Sequence, residues 1–203
     1  MGCSGSKSMA GSTGSKKKID DNKILQEAGE QPLSKPQLAA FNKLFKAVFD
    51  KITKDAQNGG PSISIGMEGE VSCAAIQTVF EEDESAKQKF NQADADTDDL
   101  LTKKEGVGFL KASLEENHPL ATDEILGMWA DACGSLNTET GDKFSYPEYE
   151  RSKKILTAWF ESPKAVEVAL SLMDPQQAKM MRQMLEGGPE AMMGAMGAAL
   201  GKM

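Results

Sequence analysis

Apolar side chains recur at helical spacing along most of this chain. Leu38, Phe41, Leu44, Phe45, Val48, Phe49 and Ile52 fall on one helix face, and Ser34 with Gln37 three residues on forms a capping box at its start. Gly59-Gly60-Pro61 interrupts, Ser62-Ile63-Ser64-Ile65 reads as a short extended piece, and a helical apolar pattern resumes from Val71 to Phe80. A helix is predicted from Glu81 to Ala93 and, after an acidic loop, another through Phe109, Leu110 and Leu114. Asn117-His118-Pro119 breaks the pattern. Thr122 then caps a helix through Ile125, Leu126 and Trp129 that ends near Gly134, and a polar loop leads to a helix carrying Tyr149, Ile155, Leu156, Trp159 and Phe160. The C-terminal stretch is helical and Met-rich, with breaks at Pro163, Pro175 and Gly187-Gly188-Pro189. No long strand pattern occurs, so the expected fold class is all-α with very short β contacts between loops.

Residues 1–30 carry Gly, Ser, Lys and Asp with almost no large apolar side chains, so a disordered leader is expected over 1–33. The remainder divides at the Asn117-His118-Pro119 break into two expected lobes, 34–116 and 117–203.

Composition narrows the function classes. With 203 residues and 39% apolar content the chain can build a sizeable core. No run of eighteen apolar residues and no N-terminal apolar region is present, so neither a spanning helix nor a secretory signal is expected, and a cytosolic protein follows. Cys3, Cys73 and Cys133 are odd in number and widely spaced, which offers neither a disulfide framework nor a zinc site. A net charge of -8 argues against nucleic acid as a partner and favours cations.

The acidic loop carries the strongest candidate chemistry. Asp94, Asp96 and Asp98 alternate on a tight turn, the Leu100 carbonyl and Thr102 follow, and Glu105 closes the set from the next helix. Hard oxygens at that spacing converge on one hard divalent cation, and about seven donors are within reach. Phe90 and Phe109 flank the loop as anchors, and Leu101 takes the apolar position whose backbone pairs with a partner loop. Asp99 stands where a glycine is wanted for positive φ; Asp tolerates that conformation better than most residues, so weakened rather than abolished binding is expected. A solvated acidic turn is the bland alternative.

These residues resemble the EF-hand loops of the calmodulin superfamily, and the resemblance implies Ca2+ as ligand, with Mg2+ open. A second stretch, Asn137 to Glu148, lies on the same frame with Phe144 at the apolar position. There Asn137, Glu139, the Lys143 carbonyl, Ser145 and Glu148 are weaker candidate ligands; Gly141 and Asp142 are inverted relative to the template, and calcium, magnesium or nothing remain open. A first loop around Thr53 to Met67 would place Ile63 beside Leu101, but Met67 stands where a closing Glu belongs. A fourth, from Asp174, has no ligands beyond its start. Both are expected to be structural.

Met1-Gly2-Cys3-Ser4-Gly5-Ser6-Lys7 satisfies a myristoylation pattern on Gly2, with Cys3 for palmitoylation and Lys16-Lys17-Lys18 for anionic headgroups. A plain Gly/Ser leader is the alternative. This start, ahead of EF-hand-like loops, is similar to the calflagins, acylated flagellar calcium-binding proteins, and in plan to the neuronal calcium sensors. The resemblance implies a calcium sensor on the cytoplasmic face of the plasma membrane, or of a flagellar or ciliary membrane, acting on a protein target. A calcium-insensitive membrane adaptor or a calcium buffer are the rival readings.

Met173, Met180, Met181, Met184, Met192, Met193 and Met196 concentrate near the C-terminus, either to fill core or to form a repacking target surface. The tail could also occupy the molecule's own groove. Little suits an enzyme: His118 is the only histidine and stands beside Pro119 in a linker, and neither a phosphate-cradling glycine loop nor a nucleophile elbow occurs.

Overall fold

The computed structural model describes residues 19–66, 69–80, 83–115 and 117–200, with side chains in the terminal helix up to residue 187. Helix formation begins earlier than the composition of the leader suggests. Asp20 caps α1 (Asp21–Glu27), its Oδ1 accepting from the backbone N–H groups of Asn22 and Lys23 at 3.1 and 3.3 Å. Residues 19–33, expected within the leader, thus include a capped helix. Leu25 is fully buried, Leu33 nearly so, and Asn22 fastens the connection by donating to the Leu33 carbonyl at 3.0 Å and accepting from its N–H at 2.8 Å. Two leucines and one side-chain amide offset the ordering cost of a segment otherwise poor in apolar residues.

The capping box places the start of α2 (Lys35–Ala56), with the Ser34 N–H donating to Gln37 Oε1 at 2.8 Å. Its predicted face is the buried one: Phe41, Leu44, Phe45, Phe49 and Ile52 all enter the core. The next stretch differs from the predicted helix at Val71. Ser64–Ile65 (β1) and Val71–Ser72 (β2) pair as an antiparallel hairpin, Ser64 opposite Ser72 and Ile65 opposite Val71, before α3 (Ala74–Phe80) begins. Two helix–loop–helix units follow. The first is α4 (Ala86–Ala93) with α5 (Lys103–Ser113), and the second is α6 (Asp123–Leu136) with α7 (Tyr146–Phe160). Thr122 caps α6 as its sequence suggests, accepting from Ile125 N–H at 3.3 Å. Pro163 and Pro175 open α8 (Pro163–Leu172) and α9 (Pro175–Leu200), positions where a missing N–H costs nothing. The expected break at Gly187-Gly188-Pro189 does not occur, because α9 continues through it to Leu200 into a stretch rich in good helix formers, alanine and methionine.

The fold is thus all-α, with one two-stranded hairpin among the described residues. Its main core is continuous from Leu25 to Ala169 and crosses the expected boundary between 34–116 and 117–203. α2 packs on α6, and Gln37 Nε2 donates to the Ser135 carbonyl at 2.9 Å. Trp159 of α7 receives Phe41 and Phe45 edge-on, at centroid separations of 6.2 and 5.7 Å. The apolar face of α2 meets α6, α7 and α8, so the core draws on residues from both expected halves. A smaller cluster of Val166, Leu170 and Ala178, with Met173, Met181 and Leu185 packed on it, joins α8 to α9 and reaches Ile65 and Val71 of the hairpin. Met173 and Met181 thus belong to packed core, while Met180 is 63% exposed.

Candidate metal centre

The two helix–loop–helix units meet through their loops. Leu101 and Phe144 exchange both backbone hydrogen bonds, Leu101 N–H to Phe144 O at 2.8 Å and Phe144 N–H to Leu101 O at 3.0 Å. The sequence predicts the right residue type at each position and the wrong partner for Leu101: the bridge goes to Phe144, whereas Ile63 lies next to the local hairpin that pairs Ile65 with Val71. An isolated bridge commits few residues. What selects the partner is the aromatic packing beneath it, where Phe90 meets Phe109 at 5.4 Å and Phe144 at 6.3 Å, all three essentially inaccessible to solvent.

On this frame Asp94, Asp96 and Asp98 come together, one oxygen from each lying within 4.8 Å of the others. Asp94 is buried and organises the turn: Oδ1 accepts from Asp98 N–H at 3.3 Å and Oδ2 from Asp99 N–H at 2.9 Å. Asp98 Oδ1 accepts from Leu100 N–H at 2.9 Å. Thr97 and Asp99 take left-handed conformations, φ 56° and 62°, so the turn makes the demand at Asp99 that the sequence implies.

Glu105 sits at the head of α5, with its carboxylate directed back into the loop. Oε2 accepts from the Thr102 N–H at 2.9 Å and the Thr102 hydroxyl at 2.7 Å, and Oε1 accepts from Ala95 N–H at 3.4 Å. Those bonds, the Thr102 hydroxyl's first, hold the Glu105 carboxyl below its ordinary range. Oxygen donors of this kind and spacing fit a hard divalent cation: Asp94, Asp96 and Asp98 would hold it, with the Leu100 carbonyl, Thr102 and Glu105 completing the shell.

The second loop is arranged differently. Asn137 Oδ1 accepts from the N–H groups of Glu139 and Thr140 at 3.0 and 3.1 Å, and the Thr140 hydroxyl donates to the Lys143 carbonyl at 3.2 Å. Glu148 Oε2 accepts from Ser145 N–H at 2.6 Å and from its hydroxyl at 3.0 Å. Gly141 carries the positive φ, 72°, at the position the inverted Gly-Asp order gives it. Among the described residues no metal-like cluster of acidic side chains forms in this loop, and Asn137, the Lys143 carbonyl, Ser145 and Glu148 are engaged with one another or with their own turn.

Sequence reasoning missed the contact that links the loops. Lys143, singled out for its carbonyl, sends its side chain across the bridge, and Nζ lies 2.5 Å from Asp98 Oδ2 and 3.4 Å from Asp96 Oδ2. The ammonium holds the Asp98 carboxyl below the usual carboxylate range, and Asp98 in turn raises Lys143 above the ordinary lysine value. A signal existed in the residue order: Lys143 directly precedes Phe144, so any pairing of Leu101 with Phe144 brings its four-carbon stem beside the acidic turn.

His118 is held by two hydrogen bonds. Leu120 N–H donates to Nδ1 at 3.1 Å, which leaves Nε2 to donate to Thr78 Oγ1 at 3.1 Å, tying the turn after α5 to α3. Gly2, Cys3 and Lys16-Lys17-Lys18 lie outside the described residues, as does Met67. No helix is long and apolar enough to cross a membrane among the residues described. Comparison with family models, with curated proteins and with solved structures finds no match.

Proposed function

We propose that this chain is an EF-hand calcium-binding protein, anchored to a membrane through acylation of Gly2 and Cys3 with help from Lys16-Lys17-Lys18, and acting as a calcium sensor on a protein target. The observation that carries the reading is the convergence of Asp94, Asp96 and Asp98 between two packed helices, on a loop bridged backbone to backbone with a second helix–loop–helix unit. Calcium would supply a point of positive charge for these oxygens. Glu105 completes the capping box that Thr102 opens on α5 and also faces the loop, so a change in its partners acts directly on the start of that helix. Phe109, near the middle of α5, packs on Tyr149 of α7 at 4.8 Å, which gives such a movement a route into the core.

One observation favours the rival reading, a calcium-insensitive membrane adaptor with EF-hand-like loops kept as scaffold: the acidic turn already has an internal cation in Lys143. Calorimetric titration with calcium separates the two. The sensor reading expects heat from the full chain that is abolished in Asp94→Ala and in Glu105→Ala; equal traces in all three proteins would favour the adaptor. The anchor has its own test, in which Gly2→Ala is expected to release the protein from membranes to the soluble fraction.

A further inference from the structure

We propose that Lys143 is a tethered cation that competes with the divalent metal for Asp96 and Asp98, so that its side chain must leave the turn before the first loop can be loaded. This rests on the calcium reading above.

The geometry separates what is fixed in Lys143 from what is free to move. Its backbone is held on both sides, the carbonyl accepting from the Thr140 hydroxyl at 3.2 Å and the neighbouring Phe144 bridging to Leu101. Its side chain alone spans the gap, and the ends of both ion pairs are open to water: Lys143 is 25% exposed, Asp98 39% and Asp96 58%. An ammonium is compact and strongly hydrated, so it can be given up to solvent more readily than a bidentate guanidinium. Because it is covalently tied to the bridged loop, its local concentration at the carboxylates does not fall on dilution. The two carboxylates it touches are those of the expected ligand set that are more exposed, while Asp94 is buried and occupied with backbone N–H groups. A lysine so placed raises the calcium level at which the loop fills without removing any ligand. It also makes filling of the first loop a change in the electrostatics of the second, because the displaced charge belongs to that loop.

Calorimetric calcium titration of the full chain, of Lys143→Met and of Lys103→Met tests this. Lys103 pairs with Asp131 of α6 at 2.7 Å, so its loss lowers net charge equally without freeing Asp96 or Asp98. Lys143→Met is expected to bind calcium on the order of tenfold more tightly than the full chain, as suits removal of a competing charge partly screened by water, while Lys103→Met shifts affinity far less. In the unaltered chain the Lys143 side-chain NMR signals should move in step with the amide signals of 94–105 during titration. Equal tightening in both variants would overturn the proposal, as would Lys143 signals that stay in place while the loop responds. Calcium binding by none of the three proteins would instead remove the calcium reading itself, and the proposal with it.

Discussion

Gly106 lies against the ring of Phe144, and a Cβ placed there would stand 2.5 Å from the ring's Cε1. A glycine inside α5 is otherwise a cost to the helix, so its presence marks a close approach between the two helix–loop–helix units. Gly106→Ala must push Phe144 away, and with it the Leu101 bridge. The expected result is a loss of about 1–3 kcal/mol in urea unfolding, the range for overpacking. Gly108 is an internal control, since it lies two residues on in the same helix with nothing within 4 Å of an added Cβ. Gly108→Ala should therefore stabilise by roughly 0.5–1 kcal/mol. The same sign for both substitutions would show that packing against Phe144 is not what Gly106 serves.

Asp99 holds φ at 62° while its N–H is bound to Asp94 Oδ2. A glycine keeps that bond, which is made by the backbone, and removes the steric penalty of a side chain in the left-handed region. Asp99→Gly is expected to be neutral to stabilising by up to about 1 kcal/mol, because relief of strain is offset by extra freedom in the unfolded chain. Thr97→Gly tests the same principle at φ 56°. A loss of more than about 1 kcal/mol at Asp99 would mean that the side chain, rather than the turn, is what the position requires.

Periodicity made the α2 face legible, since seven apolar residues at helical spacing, five of them buried, leave a helix little choice, and the gathering of Asp94, Asp96 and Asp98 was legible for the same local reason. Partner choice was not. Leu101 could pair with Ile63 or Phe144 on sequence distance alone, and the decision lay in how Phe90, Phe109 and Phe144 pack. Likewise α1 rests on contacts with residues far along the chain, and composition averages over the two leucines that anchor it. The Lys143 contact depends on that same pairing, so it became visible only once the bridge was known.

Asp83 precedes α4 and accepts three hydrogen bonds, from Lys89 Nζ at 2.7 Å, from the Ser85 hydroxyl at 2.6 Å and from Ser85 N–H at 2.9 Å. The bond from Lys89, followed by that from the Ser85 hydroxyl, brings its carboxyl from an ordinary 3.8 down to about 2. Because the folded value is the lower one, ionised Asp83 contributes stability that is complete above about pH 4 and is lost as the pH falls through about 2. Asp83→Asn should consequently melt below the unaltered protein at pH 6, with the gap narrowing between pH 4 and 2. Melting temperatures that differ by a constant amount across that range would exclude Asp83 as a source of acid sensitivity.

Lys164 is buried at the start of α8, where its ammonium meets Asp21 of α1 and Asn42 Oδ1 of α2 at 2.7 Å and lies over the Trp159 ring, 3.3 Å from its centroid. Burial lowers the lysine's proton affinity, and the Asp21 bond works against that. Removing Asp21 leaves the ammonium in a poorly solvated place, whereas removing the lysine leaves Asp21 at a position with 21% of its side chain in water. Asp21→Asn should cost about 2 kcal/mol, the value of a hydrogen bond to a charged group, and should speed amide exchange across α1. Lys164→Met, which keeps apolar contact with Trp159 and Phe45, should cost less. The order of the two is the informative quantity: a larger loss for the lysine would mean that its stem and its contact with the indole, rather than the charge pair, hold α1 against the core.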